Sequence, residues 1–249
     1  MSETNLLPQL ELAVKAAIEA GKLLLKTEDA EVVINSSIGK DIKLAADVES
    51  EQLIVKILSE ESDFDILSEE SGFVKNADAE GYRWIVDPLD GSLNYSRDID
   101  IYCVSIGLWK NNEPVLGVVY DFLHERMYKG LVGTGAFIND KPITVSAVEQ
   151  KKDSILTTGF PVYSTLDQSN MNAFITNVQE FKKVRLFGSA AMSLVHVAKG
   201  SAEAYTENNI ALWDVAAGLA ILKAAGGSFT AEEGKGPLYL NVYASNGKI

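Results

Sequence analysis

The segment WIVDPLDGSLNY, residues 84–95, places two carboxylates where an apolar strand stops. Three apolar residues precede Asp87, and Pro88 then fixes its own backbone and removes a hydrogen-bond donor. A regular strand is therefore predicted to end at Asp87, which leaves Asp90 in the turn that follows. Carboxylates that converge there repel each other, and a hard cation such as Mg²⁺ offsets that repulsion by binding their oxygens. An Asp-Pro-Leu-Asp-Gly sequence is also a good plain turn, so both interpretations stand.

Three further acidic groups lie at predicted strand or helix ends. Glu69 and Glu70 follow a short apolar strand in LSEESG, Asp47 stands where a helix should start, and Asp214 precedes the apolar run VAAGLAILKAAGG. Each group has a simpler explanation, which is a solvated turn for the glutamates and a helix cap for the aspartates. Four such acidic ends in one chain are harder to explain separately, and together they favour a shared metal site.

The charge and composition exclude several classes of partner. The chain has 249 residues, 47% of them apolar, and a net charge of −13, which repels nucleic acid and anionic membranes. Its single cysteine, Cys103, cannot form an internal disulfide, which fits a reducing compartment. The sequence contains no signal-peptide pattern and no apolar run near the roughly 18 residues that span a bilayer. We therefore expect a cytoplasmic protein that binds neither nucleic acid nor membrane.

Hydrophobic periodicity divides the chain into two halves. Apolar residues at three- and four-residue spacing predict an amphipathic helix over residues 6–27 with Leu7 and Leu25 on its inner face, and a second helix follows over about 47–60. Turn residues between apolar runs predict an antiparallel meander up to residue 146. Helices alternate with strands after it, which indicates an α/β half, with the polar stretch YSTLDQSN (163–170) as a connecting loop.

Several motifs together resemble the inositol monophosphatase family of lithium-sensitive, magnesium-dependent phosphatases. They are SEES (68–71), WIVDPLDGSLNY (84–95), GSAA (188–191), WDVAAG (213–218) and AAGG (224–227), in the order and at the spacing that this family has. The last residues, YASNGKI, resemble its final strand. The resemblance implies an αβαβα layered sandwich of mixed α/β and α+β class. It also implies an α+β half over 1–146, an α/β half over 147–249, and a homodimer.

The resemblance implies two or three Mg²⁺ ions and a role for each acidic residue. Glu69, Asp87 and the Leu89 carbonyl match the ligands of the first metal, with Asp87 bridging to the second. Asp90 and Asp214 match the ligands of that second metal, which is where Li⁺ would compete.

The resemblance also assigns the residues that would carry out hydrolysis. Asp47 and the Ser92 hydroxyl match the pair that orients and deprotonates the attacking water, and a serine keeps the hydroxyl that most relatives supply from threonine. Glu70 would orient a water at a third, weaker metal site. The backbone amides of Gly91 and Ser92 would stabilise the phosphoryl oxygens.

The implied substrate is a small phosphate ester, with inositol monophosphate or a similar polyol or sugar phosphate first. Gly188, Ser189 and Ala190 match the turn that lines the sugar pocket, and Glu207 matches a glutamate that hydrogen-bonds inositol hydroxyls. A carboxylate accepts two polyol hydroxyls well and repels a second phosphate.

Alternatives stay open at this stage. The segment SRDIDIY (96–102) replaces the family's usual histidine and proline, and Arg97 and Arg185 could receive a second phosphate, so a fructose-1,6-bisphosphatase or a dual enzyme is the main alternative. An adenosine 3′,5′-bisphosphate nucleotidase is disfavoured because Leu93 and Asn94 stand where such enzymes carry lysine. A catalytically silent relative and a calcium-binding module complete the list, and His124 and His196 have no expected catalytic role.

Overall fold

The computed structural model describes residues 5–28, 34–38, 41–74, 81–159 and 168–249. The helices are α1 (Leu7–Glu28), α2 (Ala45–Glu61), α3 (Ser92–Tyr95), α4 (Gln168–Gln179), α5 (Ala190–Ala198) and α6 (Leu212–Ala224). The strands of the first half are β1 (Ile34–Ile38), β2 (Asp41–Leu44), β3 (Asp65–Ser68), β4 (Gly72–Val74), β5 (Tyr82–Asp90), β6 (Cys103–Lys110), β7 (Glu113–Asp121), β8 (Arg126–Leu131), β9 (Gly135–Ile138) and β10 (Lys141–Ile143). The later strands are β11 (Ile155–Thr158), β12 (Lys183–Arg185), β13 (Ala204–Ala211), β14 (Ser228–Glu233) and β15 (Tyr239–Ser245).

Two main sheets and three layers of helices build the fold, and β1 and β2 form a separate antiparallel pair. The large sheet has the order β10-β9-β8-β7-β6-β5-β3-β4, and all its neighbours are antiparallel except β3 and β5. The smaller sheet has the order β12-β11-β13-β15-β14, in which the first three strands run parallel. Helices α1 and α2 cover one face of the large sheet, and α5 and α6 lie between the two sheets. Beyond the smaller sheet, Val178 of α4 and Phe181 pack on Leu156 and Ala204. The predicted αβαβα sandwich is confirmed.

Helix α1 packs on the large sheet through small residues. Its fully buried positions are mostly alanines, and Gly21 faces Tyr120 and Phe122 so closely that an added Cβ would lie 2.7 Å from the Phe122 Cβ. The opposite side of the helix is exposed, and Leu7 and Leu25 lie on it together with Glu11, Lys15 and Lys22. The prediction that Leu7 and Leu25 point inward is therefore wrong, since they are 48% and 38% exposed.

A row of glycines fixes α6 against the other face of the large sheet. Gly107, Gly117 and Gly130 are directly paired across β6, β7 and β8. A Cβ added to Gly117 would lie 2.2 Å from the Ala217 carbonyl oxygen, and one added to Gly130 would lie 2.8 Å from the Ile221 Cα. The helix backbone thus rests almost directly on the sheet backbone, which fixes the position of every residue on α6.

Some sequence-based boundaries differ from the structure. The stretch predicted as a loop over 163–170 ends in a helix, because α4 already begins at Gln168, and residues 163–167 lie outside the described residues. The final strand is β15 and ends at Ser245, four residues before the last residue of the chain. In EVVINSS (31–37), the residues from Ile34 onward belong to β1, and 31–33 lie outside the described residues. None of the described helices is both long and apolar enough to cross a membrane.

The strands of the large sheet come from residues 65–143, and those of the smaller sheet come from residues 155–245. The proposed division of the chain into halves at residue 146 stays a prediction.

Candidate active site

Strand β5 carries both aspartates of the DPLD segment and continues through Pro88. Asp87 pairs with Ser105 of β6 and Asp90 pairs with Cys103, so three steps along β5 face two steps along β6. This register shift is a β-bulge, which lets a strand accommodate a proline that donates no hydrogen bond. The prediction that the strand ends at Asp87 is therefore wrong, because the strand ends at Asp90.

Both aspartates are buried, and the carboxylate of each accepts hydrogen bonds from neighbouring groups of the protein. The Oδ1 atom of Asp87 accepts a hydrogen bond of 3.0 Å from the Leu89 N–H. The Oδ2 atom of Asp90 accepts hydrogen bonds from Ser189 Oγ at 2.6 Å and from the Ala191 N–H at 2.7 Å, at the start of α5. Burial raises the pKa of Asp90 to about 6, although the hydrogen bonds from Ser189 and from the α5 backbone act to lower it.

Asp214 lies in the first turn of α6 and joins the aspartates of β5 electrostatically. Burial raises the pKa of Asp214 well above its ordinary value, and the charges of Glu69, Asp90 and Glu207 raise it further. The pKa of Asp87 is raised in the same way, by burial first and then by Glu69, Asp90 and Asp214. Neighbouring negative charges disfavour the ionised form of a carboxyl, so these side chains act on one another electrostatically. We call Glu69, Asp87, Asp90 and Asp214 the carboxylate cluster.

Asp47 faces the cluster from the first turn of α2, next to Ser92. It is the third residue of α2 rather than its N-cap, and its Oδ2 atom accepts a hydrogen bond of 2.7 Å from the Leu44 N–H. Its Oδ1 atom lies 3.2 Å from Ser92 Oγ, which also lies 2.9 Å from the Leu89 carbonyl oxygen. The hydroxyl has one proton to donate, so the two acceptors compete for it. The prediction that Asp47 is the N-cap of the helix is therefore wrong, because Leu44 occupies that position. Asp47 and Ser92, the pair predicted to orient and deprotonate a water, are in contact.

Asp214 occupies the equivalent place on α6. The N-cap of that helix is Ala211, and a hydrogen bond from the Ala211 backbone to the Asp214 carboxylate acts to lower its pKa. The two aspartates thus satisfy amides at the starts of their helices and still point toward β5, where the cluster lies. A carboxylate near a helix N-terminus is also favoured by the helix dipole.

The turn that carries Glu69 and Glu70 is tied to its neighbours on both sides. The Glu69 N–H donates to the Val86 carbonyl of β5 at 3.2 Å, next to Asp87. The Glu70 N–H donates to the carboxylate of Glu51 on α2 at 2.8 Å. The predicted metal ligand Glu69 is therefore held beside β5 by its own backbone.

Glu207 stands on β13 at the edge of the same region. The Tyr205 hydroxyl donates to its Oε2 atom at 3.0 Å. Gly159 leaves room for the carboxylate, because a Cβ there would lie 2.4 Å from Oε2. Burial raises the pKa of Glu207 to about 7, the Tyr205 hydrogen bond acts to lower it, and the charge of Asp90 raises it. A carboxyl that titrates near neutral pH can both accept and donate hydrogen bonds to a polyol.

Asn94 connects the DPLDGS segment to the turn before α5. Its Nδ2 atom donates to the carbonyls of Ile101 and Phe187, each at 2.8 Å. Gly188 has a positive φ of 72°, and a Cβ at that position would lie 3.0 Å from the same amide nitrogen. Ser189 is the N-cap of α5, since its hydroxyl accepts from the Met192 N–H at 3.2 Å. The structure therefore brings the predicted pocket turn against α3.

The remaining residues singled out in the sequence lie apart from this network. Arg97 and Arg185 are exposed, and the Arg185 guanidinium donates to the Val184 carbonyl at 3.0 Å. His124 pairs with Asp121, and the Nδ1 atom of His196 lies 2.8 Å from the Met192 carbonyl. The sequence analysis gave neither histidine a catalytic role, and both have local partners.

Several contacts of the site were not anticipated from the sequence. They involve Ser50, Glu51, Asn94, Gly159 and Tyr205. Helical spacing offered one usable signal, because Asp47, Ser50 and Glu51 fall on one face of α2, the face that continues with Ile54 and Leu58. Polar residues in line with an apolar stripe are buried, and buried polar groups have partners.

The chemistry of the cluster suits a hard cation. Its donors are carboxylate oxygens beside the Leu89 carbonyl, which is the set that Mg²⁺ prefers, whereas zinc sites use histidine and cysteine. Within the described ranges, no three His, Cys, Asp or Glu side chains are grouped so that they could hold a metal ion as they stand. The fit therefore rests on the donor chemistry and on the raised pKa values of Asp87 and Asp214, because a bound cation stabilises the charged form of such carboxylates.

Comparison with known proteins identifies the class. The model of the "Inositol monophosphatase family" matches residues 5–248. The "Fructose-1,6-bisphosphatase/inositol-1-monophosphatase" of Aquifex aeolicus is 37% identical, with 91% of this chain and 86% of the relative covered. The "Nus factor SuhB" of Xylella fastidiosa is 35% identical, with 97% of this chain and 91% of the relative covered. The structure of an inositol monophosphatase from Anabaena superimposes with a TM-score of 0.84 at 37% identity, covering 98% and 93% of the two chains.

Fold, site and comparisons define a phosphoric monoester hydrolase. This chain belongs to the inositol monophosphatase family. The family inferred from SEES, WIVDPLDGSLNY and WDVAAG is confirmed.

Proposed function

We propose that the chain is a Mg²⁺-dependent phosphatase that hydrolyses inositol monophosphate or a similar polyol or sugar phosphate. The observation that carries the proposal is the carboxylate cluster, in which Asp87 and Asp90 of β5 are buried and the charges of Glu69 and Asp90 raise the pKa of both Asp87 and Asp214. Buried like charges cost free energy unless a cation or a proton compensates them. An acidic chain that binds a phosphate ester also needs positive charge at the site, and Mg²⁺ meets both needs.

Each member of the cluster has a proposed role as a ligand. Glu69, Asp87 and the Leu89 carbonyl would hold one ion, and Asp90 and Asp214, with Asp87 bridging, would hold another. Two or three bound Mg²⁺ ions would supply Lewis-acid stabilisation of the phosphoryl oxygens and a lowered pKa for a bound water.

Asp47 and Ser92 would prepare the water for attack. When Ser92 Oγ donates to Asp47 Oδ1 at 3.2 Å, its lone pair is free to accept a hydrogen bond from a water. The proton lost by that water would pass to the hydroxyl, whose own proton would pass to the Asp47 carboxylate. Glu70 would orient a second water from the adjoining turn. The amides of Gly91 and Ser92 would bind the phosphoryl oxygens.

The alcohol part of the ester would bind on the side of Glu207. Its carboxyl would accept hydrogen bonds from the hydroxyls of a polyol. The Tyr205 hydroxyl, which donates to Oε2 at 3.0 Å, fixes the orientation of this carboxyl. Gly188, Ser189 and Ala190 would line the pocket through the backbone of their turn, since the Ser189 hydroxyl is engaged by Asp90. This pocket chemistry favours a polyol monophosphate.

A bisphosphate substrate is the second candidate. The Aquifex relative carries both activities in its name, and it covers most of this chain. The exposed side chains of Arg97 and Arg185 would have to turn toward the pocket to bind a second phosphate.

Phosphate release from a small panel separates the candidates. The panel contains inositol 1-phosphate, fructose 1,6-bisphosphate, glucose 1-phosphate and adenosine 3′,5′-bisphosphate, each with Mg²⁺ and with EDTA. We expect Mg²⁺-dependent release that is fastest from inositol 1-phosphate. Release led by fructose 1,6-bisphosphate would move the assignment to a dual or sugar bisphosphatase. No release from any ester would contradict the proposal and favour a catalytically silent relative.

The wider setting is part of the same proposal. The family resemblance supports inhibition by Li⁺ near Asp90 and Asp214 and assembly as a homodimer. The net charge of −13 argues against nucleic acid and membrane as partners. Cytoplasmic location is proposed from the single buried cysteine, Cys103.

A further inference from the structure

Helix α2 contacts three separate parts of the site through one stripe of buried polar residues. Asp47, Ser50 and Glu51 are 2%, 0% and 1% exposed and lie on one helix face. Asp47 contacts Ser92, and Ser50 Oγ donates to the Pro88 carbonyl at 3.0 Å. Glu51 contacts the turn after β3. None of the proposed catalytic, metal-binding or substrate-binding roles involves Glu51, so its function is open.

Four hydrogen bonds converge on the Glu51 carboxylate. Its Oε2 atom accepts from the Ser68 hydroxyl, from the Glu70 N–H at 2.8 Å and from the Ser71 N–H at 3.3 Å. Its Oε1 atom accepts from the Ser71 hydroxyl. All four donors belong to the segment 68–71, so this one carboxylate binds both the end of β3 and the turn that follows it.

The turn held in this way is the one that carries Glu69. On one side of Glu69, its own N–H is bound to the Val86 carbonyl, and on the other side the next two amides are bound to Glu51. The charge of Glu69 raises the pKa of both Asp87 and Asp214, so like charges push this turn away from the cluster. Hydrogen bonds to the backbone on both sides of Glu69 oppose that push.

We propose that Glu51 is a positioning residue that holds the Glu69–Ser71 turn in place for metal binding. The inference rests on the proposed function, because it assumes that Glu69 is a metal ligand. Glu51 acts through the backbone of the turn and does not itself contact the ion. Loss of such a supporting residue typically weakens metal affinity by about 10- to 100-fold.

Two variants and one matched control test the inference. Glu51→Gln keeps the size of the side chain but removes its negative charge, so the hydrogen bonds that it accepts lose their charge assistance. Glu49→Gln removes the same charge from an exposed position of the same helix. Ser71→Ala removes one hydroxyl donor and keeps both backbone hydrogen bonds, so it serves if Glu51→Gln fails to fold.

The readouts are Mg²⁺ binding by calorimetry, amide hydrogen exchange over residues 69–71, and thermal unfolding in EDTA. We expect Glu51→Gln to weaken Mg²⁺ binding by about 10-fold or more and to speed exchange of the Glu70 and Ser71 amides. Ser71→Ala should weaken binding by about twofold or more. Glu49→Gln should match the wild type in every readout. A residue that only stabilises the fold would lower the unfolding temperature without changing Mg²⁺ affinity.

These measurements distinguish a failure of the positioning role from a failure of the proposed function. If folded Glu51→Gln, or Ser71→Ala in its place, binds Mg²⁺ as tightly as the wild type, the positioning role is refuted while the proposed phosphatase stands. If the wild type itself binds no Mg²⁺, the proposed function fails and the inference fails with it.

Discussion

Substitution of Gly117 by alanine tests whether the glycine row positions α6 and its proposed metal ligand Asp214. The added Cβ would lie 2.2 Å from the Ala217 carbonyl oxygen, where ordinary contacts begin at 3.4 Å, so the backbones must separate by about 1.2 Å. All three of its nearest neighbours are backbone atoms of Ala217, and no side chain can turn away to relieve the clash. Overpacking of this kind costs typically 1–3 kcal/mol, and we expect a value at or above about 3 kcal/mol.

The same shift reaches the active site through Asp214. A displacement of about 1 Å can reduce turnover by about 100-fold, even for a change far from the reacting atoms. Urea unfolding would measure the free energy of unfolding, and Mg²⁺-dependent phosphate release would be measured where the variant is still folded. Gly236→Ala is the control, because an added Cβ there has no neighbour within 4 Å. A Gly117→Ala variant within about 0.5 kcal/mol of the wild type and fully active would refute the role of the glycine row.

Two further predictions concern Ser92, which we propose to bind the attacking water with Asp47, and Glu207, which we propose to bind the substrate. In a phosphate-release assay, Ser92→Ala should lower kcat by about 100-fold or more, because it removes the hydroxyl. Ser92→Thr should stay close to the wild type, because it keeps the hydroxyl. A fully active Ser92→Ala variant would exclude the proton relay to Asp47. The folded pKa of Glu207, about 7, lies above its ordinary 4.5, so the folded state binds the extra proton and wild-type stability should fall as pH rises from about 4.5 through 7. Glu207→Gln should not show this loss of stability. Denaturation in EDTA should therefore show that the free energy of unfolding of Glu207→Gln exceeds that of the wild type by more at pH 8 than at pH 5. A difference that is the same at both pH values would contradict the burial of Glu207.

The layer order and the positions of the acidic residues at strand and helix ends could be predicted from short motifs in the sequence. The WDVAAG motif indicates both a helix and a carboxylate at its start, and Asp214 is found in the first turn of α6. The course of β5 could not be predicted, since a β-bulge at Pro88 depends on its pairing with β6. Likewise, the glycines of β6, β7 and β8 form a row only through strand register, which local sequence does not specify.

The residues that support the site were harder to predict than its acidic residues. Helical spacing places Glu51 on the buried face of α2, but only the approach of the turn at Glu70 gives its carboxylate four donors. Gly159 is similar, because its lack of a side chain matters only where the Glu207 carboxylate lies against it. Contacts between segments far apart in the chain decide both cases.

Thermal unfolding of the wild type and of Asp87→Asn, each in EDTA and in Mg²⁺, tests the central claim most directly. The account predicts that Mg²⁺ raises the unfolding temperature of the wild type. It also predicts that Asp87→Asn is more stable than the wild type in EDTA, by about 0.5–2 kcal/mol, because a buried repelling charge is gone. This variant should gain no stability from Mg²⁺ and release no phosphate from inositol 1-phosphate. A wild type insensitive to Mg²⁺, or an Asp87→Asn variant that Mg²⁺ stabilises equally, would contradict the account.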